Sequence, residues 1–266
     1  MKKMTKLMMV LIAVCAAGSA MAQVRGRLIL NDGRKVDGAL RWNQRMKTYA
    51  VKQGGGSSVE LNITPDRVRE IVVPRPVELD AAIDKIRKGQ PSSAIPALKD
   101  VARTYLMLTW DSVATRYLAE AHLKSGDIDK AVDVCEAVIR INEEASYLGE
   151  MAPVYWEALL KKNRSAKVED LLLKAIKSGD RRSSAFAHIR RGDIILMGSD
   201  NQESNRKALR DGFLRVITLY RNIHDAQPEA LYKAAKSFDK IGQSTRADQM
   251  RTLLKQNFPA SDWARK

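Results

Sequence analysis

Residues 118–134 read LAEAHLKSGDIDKAVDV. Apolar and small residues recur at three- and four-residue intervals on both sides of Ser125-Gly126-Asp127, which predicts two amphipathic helices joined by a tight turn. Small side chains stand at Ala119, Gly126 and Ala131. A larger residue at Ala119 would hold two antiparallel helices apart. Gly126 ends the first helix because it takes the left-handed conformation without a Cβ clash. Ala131 lets the second helix pack onto a following pair. Leu118, Val134, Cys135, Val138 and Ile139 then fill a core at helical intervals.

The same spacing recurs. Ala82, Gly89 and Ala94 repeat it, as do Ala235, Gly242 and Ala247. Trp156, Asn163 and Val168 fit the frame with the small residues replaced, and a longer unit around Gly192 fits loosely. A helix pair cannot bury its apolar face alone, so self-similarity of this kind predicts a stacked array. LAEAHLKSGDIDKAVDVCEAVIRIN and AAKSFDKIGQSTRADQMRTLLKQNFPAS resemble the tetratricopeptide repeat (TPR) family most clearly. In the second stretch Ala235, Phe238, Gly242, Ala247, Leu254 and Pro259 fall on family positions. The ending FPASDWARK is similar to that of secreted and periplasmic repeat proteins such as the Tol–Pal-associated division coordinators. The resemblance implies a right-handed α-solenoid of about five helix-turn-helix repeats over residues 79–266, in a mostly α chain.

The chain begins MKKMTKLMMVLIAVCAAGSAMAQ. Lys2, Lys3 and Lys6 precede an apolar run from Leu7 to Ala17 and a small-x-small end at Ala20-Met21-Ala22. That is the charge, core and cleavage pattern of a secretory signal over residues 1–22, cut before Gln23. Val14 precedes Cys15, whereas a lipidated cysteine follows Gly, Ala or Ser. The expectation is a periplasmic or secreted protein with no transmembrane segment. Cleavage would remove three lysines and no acid, lowering the formal charge from +15 to +12, and would leave Cys135 as the one thiol. One thiol forms no internal disulfide, so the fold must stand on its core. The basic excess suits an acidic protein or an anionic envelope polymer, or is a solvated surface. Export argues against nucleic acid.

Residues 23–73 follow a different pattern. VRGRLIL and KVDGALRW flank Asn31-Asp32-Gly33-Arg34, a hairpin signal because Gly tolerates the positive φ of tight turns. Gly38 inside the second run predicts a bulge. KTYAVK and SVELNI flank Gly54-Gly55-Gly56, a second hairpin tip, and VREIVV follows Thr64-Pro65-Asp66. Five short strands must curl to cover their own core. Spacing and turn positions resemble an SH3-like or Sm-like barrel. Pro74-Arg75-Pro76 stiffens a linker over residues 74–78.

No reactive constellation emerges, so the chain reads as non-enzymatic, with no cofactor and no metal. Cys135 lies on a buried stripe, and His122, His188 and His224 share no metal-ligand spacing. Arg191-Gly192-Asp193 spells an adhesion tripeptide, but FAHIRRGDIILM reads as helix. Glu143-Glu144 and Glu169-Asp170 lack the positioned partners of a general acid and base. The glycine run lacks the Lys-Ser/Thr of a phosphate loop.

Two functions remain. The first is an interaction scaffold in the cell envelope, whose first helices line a concave side. Family register implies inward positions at Val113, Arg116, Glu120, Leu123 and Lys124, and at Glu229, Tyr232, Lys236, Asp239 and Lys240. Arg116, Lys124, Lys236 and Lys240 would steer an acidic peptide or chain end, with Leu123 and Tyr232 in apolar contact. The second is an envelope-polymer binder, peptidoglycan or another glycan, acting through the β module. There Trp42 and Tyr49 could stack on sugars beside Arg41, Arg45 and Lys47, or Trp42 could sit in the core.

Overall fold

The computed structural model describes residues 24–54 and 60–266. The signal segment and the hairpin tip from residue 55 lie outside the described residues.

Five strands, β1 (Val24–Leu30), β2 (Lys35–Asn43), β3 (Thr48–Lys52), β4 (Glu60–Ile63) and β5 (Val68–Val72), form one antiparallel sheet in the order β4-β3-β2-β1-β5. The β1–β2 turn closes with Gly33 at φ 85°, and the Asp32 carboxylate accepts from the Arg34 amide at 3.0 Å. Gly38 does not mark a bulge. It pairs in regular register with Gly26, and the irregularity lies at Ile29/Leu30 where β1 meets β5. The glycine serves close approach instead: a Cβ at Gly38 would sit 2.6 Å from the Lys52 carbonyl oxygen.

The sheet does not cover its core unaided. Leu28, Leu40, Val51 and Trp42 pack around Leu108, which is fully buried and comes from the helical region. The connection that carries Leu108 holds Met107 at φ 59° and Thr109 at φ 81°. The Asp111 carboxylate, itself buried, accepts from the Met107 amide at 2.8 Å and fixes this turn. Trp110 Nε1 donates to the Val73 carbonyl at 3.2 Å, tying the end of β5 to the same place.

Helices follow in pairs: α1 (Val77–Arg87) with α2 (Pro91–Thr104), α3 (Trp110–Lys124) with α4 (Ile128–Ile139), and α5 (Ala152–Lys161) with α6 (Ser165–Lys177). Helix α1 starts at Val77, inside the residues read as linker, because Pro76 with its fixed φ already serves as N-cap. The fourth pair is α7 (Arg181–Gly198) and a longer helix made of α8 (Gln202–Ala208), a π-turn (Leu209–Phe213) and α9 (Leu214–Leu219). The last is α10 (Gln227–Lys240) with α11 (Ser244–Asn257). Gly89, Gly126 and Gly242 all sit at positive φ between the paired helices, and Asn163 takes that place at φ 55° in the third pair. Ala82, Ala94, Ala119, Ala131, Ala235 and Ala247 are buried.

From the second pair onward, ion pairs stitch one pair to the next at about one repeat of separation. Arg116 and Arg182 both bond Glu150, Lys162 bonds Asp129, Lys233 bonds Asp193, and Lys240 bonds Asp200. No helix among the described residues is long and apolar enough to cross a membrane.

Candidate functional site

The first helices of successive pairs, α3, α5, α7 and α10, line a groove of about 690 Å3, closed at one end by residues 261–266. Its apolar surface comes from Leu123, Pro153, Val154, Leu160, Phe186, Met197 and Trp263. These helices expose this face because their other faces carry the alanines and leucines that pack pair against pair.

Arg116, Glu120, Leu123 and Lys124 line the groove. Tyr232, Lys236 and Lys240 lie outside its lining. The cause is the 3-10 turn Asp262–Arg265, which brings Trp263 against Tyr232 with ring centroids 5.2 Å apart. Lys236 lies over the Tyr232 ring, and Lys240 reaches back to Asp200 at 2.9 Å. From α10 the groove instead receives Glu229 and Lys233, one helical turn apart.

Seven basic and six acidic side chains line the groove, so it is nearly neutral. Arg116 donates to Glu150 at 2.7 Å, and Lys124 pairs with Glu120 at 2.9 Å. Deeper in, Arg190 is buried and bonds both Glu229 and Asp193, while Lys233 bonds the same two carboxylates. Burial opposes the charge on Glu229, but Arg190 and Lys233 outweigh it and hold its carboxyl at about 2. Burial likewise opposes the charge on Arg116, and Tyr117 and Glu150 outweigh it. The groove therefore differs from the basic channel expected of its lysines and arginines. Five of its seven cations already face carboxylates: Arg116, Arg182, Arg190 and Lys233 bond acids from a neighbouring repeat, and Lys124 bonds Glu120 on its own helix.

Register alone did not single out Glu150, Arg182, Arg190 or Asp193. One signal was present in the chain: Arg116, Glu150 and Arg182 follow each other at 34 and 32 residues, close to the repeat period, with alternating sign.

The other candidates resolve plainly. Cys135 is fully buried, and burial pushes its thiol far above the ordinary range. His122 is buried with its pKa lowered by desolvation, and His188 is lowered by the same cause. His224 is exposed on a turn. Among the described residues no three His, Cys, Asp or Glu side chains gather as a metal site. Gly192 is buried inside α7. Trp42 and Tyr49 do not present stacking faces for a sugar. Each is 6% exposed, and they pack edge to face at 5.0 Å in the sheet core. Arg41 is held by Glu60 at 2.8 Å, leaving Arg45 and Lys47 exposed on the β2–β3 turn.

Residues 229–261 match the tetratricopeptide repeat family. No curated protein matches the chain. Among solved structures, MamA AMB-1 aligns with 15% identity over 70% of this chain and 100% of that one, with a TM-score of 0.32. A Podospora anserina structure described as a kinesin light chain with nearly identical TPR-like repeats aligns with 16% identity over 69% of this chain and 95% of that one, with a TM-score of 0.39. Both scores are below 0.5, so the functional reading rests on the match over residues 229–261 and on the groove itself.

Proposed function

We propose that this chain is an exported, non-enzymatic scaffold of the cell envelope whose concave groove holds a peptide segment of a partner protein. The observation that carries it is the groove itself: four first helices present a continuous trough whose volume lies within the roughly 300–1,000 Å3 of ordinary ligand sites. Apolar side chains on its surface supply contact area, and the paired charges of both signs give hydrogen-bonding positions along it. This balance favours a segment carrying both signs with apolar residues between them over a purely acidic one.

Export rests on the tripartite start over residues 1–22. The family likeness supports a right-handed superhelix of five repeats. The order β4-β3-β2-β1-β5, with a 3-10 turn at Pro65–Arg67 before β5, supports the SH3-like reading of the β module. A polymer-binding β module has lost its aromatic platform to the core and is the weaker alternative.

A photo-crosslinker placed at Val154 or Met197 should capture one partner segment in cells, whereas the same group at Met46, on the β2–β3 turn, should not. Met197→Glu, at a half-exposed groove position, should suppress the capture from position 154. Capture from Met46 with none from the groove would overturn the reading. Mass spectrometry of the native protein should find a chain beginning at Gln23 without lipid; a retained Met1 would refute export.

A further inference from the structure

The positive excess of this chain is absent from the concave groove, where seven basic side chains meet six acidic ones. Part of it lies on the second helices of the last two pairs, which carry seven basic and three acidic side chains. A cleft of about 410 Å3 between α8–α9 and the end of α10 and start of α11 is rimmed by Arg206, Arg210, Arg215 and Arg246. Among the described residues no carboxylate lines it. Its floor is Leu209, Leu214, Phe238 and Ile241, three of them buried.

These guanidiniums are sparsely engaged. Arg206 contacts the Gln202 side chain at 3.5 Å, and Arg246 donates to Gln243 at 3.1 Å while lying over the Phe238 ring. Arg215 makes no side-chain hydrogen bond or ion pair among the described residues. Arg210 pairs with Asp211 at 2.8 Å, an acid outside the lining whose carboxyl Arg210 holds below the usual range. Arg206, Arg215 and Arg246, which pair with no carboxylate among the described residues, repel one another around an apolar floor, and a carboxylate arriving at the rim relieves that repulsion. Arginine is suited to this because its planar fork binds a carboxylate through two parallel hydrogen bonds.

We propose that this arginine-rimmed cleft is a second interaction surface, and that it takes an acidic peptide segment of a protein partner. The arrangement of the two chemistries selects a peptide over a membrane. Membrane-seeking surfaces project their apolar residues beyond the charges, into the lipid. Here the apolar floor is recessed below the guanidiniums, so the occupant must lower an apolar side chain between them while its carboxylates stay at the rim. An extended peptide with Glu or Asp next to Leu or Phe does both. The site is separate from the concave groove and uses none of its residues.

The test uses the full mature chain and a short fluorescein-labelled peptide in which Glu alternates with Leu, followed by fluorescence anisotropy. The wild-type chain should bind it, more weakly as salt rises. Arg215→Glu with Arg246→Glu should lower the affinity about tenfold or more, and Arg215→Gln with Arg246→Gln by less, each keeping the wild-type circular dichroism. Arg25→Glu with Arg69→Glu, on the β module, makes the same change in net charge and should leave binding within about twofold. Met197→Glu in the groove should also leave it unchanged, which separates this proposal from the groove. Equal losses for the cleft and β-module doubles would mean general basicity and overturn the proposal. So would unchanged binding in the cleft doubles. Binding of the chain to anionic phospholipid vesicles, lost in the same cleft doubles, with no binding of the peptide, would assign the cleft to a membrane.

Discussion

Glu229 lies 6% exposed at the start of α10, where an isolated carboxylate would be expensive to ionise. It remains charged because Arg190 and Lys233 face it, and Arg190 in turn bonds Asp193. Glu229→Gln should therefore cost about 2–3 kcal/mol, less than the 3–5 typical of breaking a buried pair, because Asp193 still partners Arg190. Its folded carboxyl lies at about 2 against an ordinary 4.5, so the stabilisation is complete above pH 4.5 and is lost as pH falls from there toward 2. Urea midpoints should thus separate wild type from Glu229→Gln near neutral pH and converge in acid; a constant gap would contradict the coupling. The inward position of Glu229 was legible from repeat register. Arg190 was not, because its partner is 39 residues away in the next pair and its own neighbourhood, Arg190-Arg191-Gly192-Asp193, has the composition of a solvated surface.

At the scale of elements, the turn positions between paired helices were legible wherever backbone sterics dictate them. Gly89, Gly126, Asn163 and Gly242 share one left-handed conformation, and the frame placed Asn163 there without a glycine to mark it. Asn163→Gly should then stabilise by a few tenths of a kcal/mol, up to about 1, by relieving strain that only a Cβ creates. Thermal melts would check this, and a loss of stability would count against the shared turn. The fourth pair was not legible in the same way, because its geometry depends on a contact between helices. A Cβ on Gly192 would lie 2.5 Å from the Phe213 ring, and one on Gly212 would lie 2.9 Å from the Gly192 Cα. The π-turn at Leu209–Phe213 sets Gly212 and Phe213 against α7 at this point. Overpacking predicts that Gly192→Ala and Gly212→Ala each cost about 1–3 kcal/mol, with Gly212 the less tolerant because backbone surrounds it. Glu143→Ala on an exposed turn should stay within about 0.5 kcal/mol. Equal melting temperatures for all three would refute the close approach.

At the scale of the whole molecule, the change of period near residue 73 falls between the end of β5 at Val72 and the start of α1 at Val77, but periodicity says nothing about how two regions share a core. Tyr105-Leu106-Met107-Leu108 is an apolar stretch between α2 and α3, and no local signal points it at a sheet that begins 81 residues earlier. The structure sends Leu108 into the sheet core, where it is fully buried beside Leu28, Leu40 and Val51. The Trp110 bond to the Val73 carbonyl fastens the same junction. The β module and the first helix pairs should accordingly unfold together. Leu108→Ala removes a buried side chain whose neighbours come from three strands, with an expected cost of about 2–5 kcal/mol that rises with the cavity left behind. The loss should register first in the strands, because the sheet has no second layer to replace the side chain. Hydrogen exchange of the Leu28, Leu40 and Val51 amides should accelerate together in Leu108→Ala, while amides of α10 and α11 keep their protection. Leu253→Ala, at a partly exposed site on α11, should leave both regions as they are. Unchanged protection in the strands of Leu108→Ala would show that the sheet stands without the helical region, and the shared core would be the wrong description.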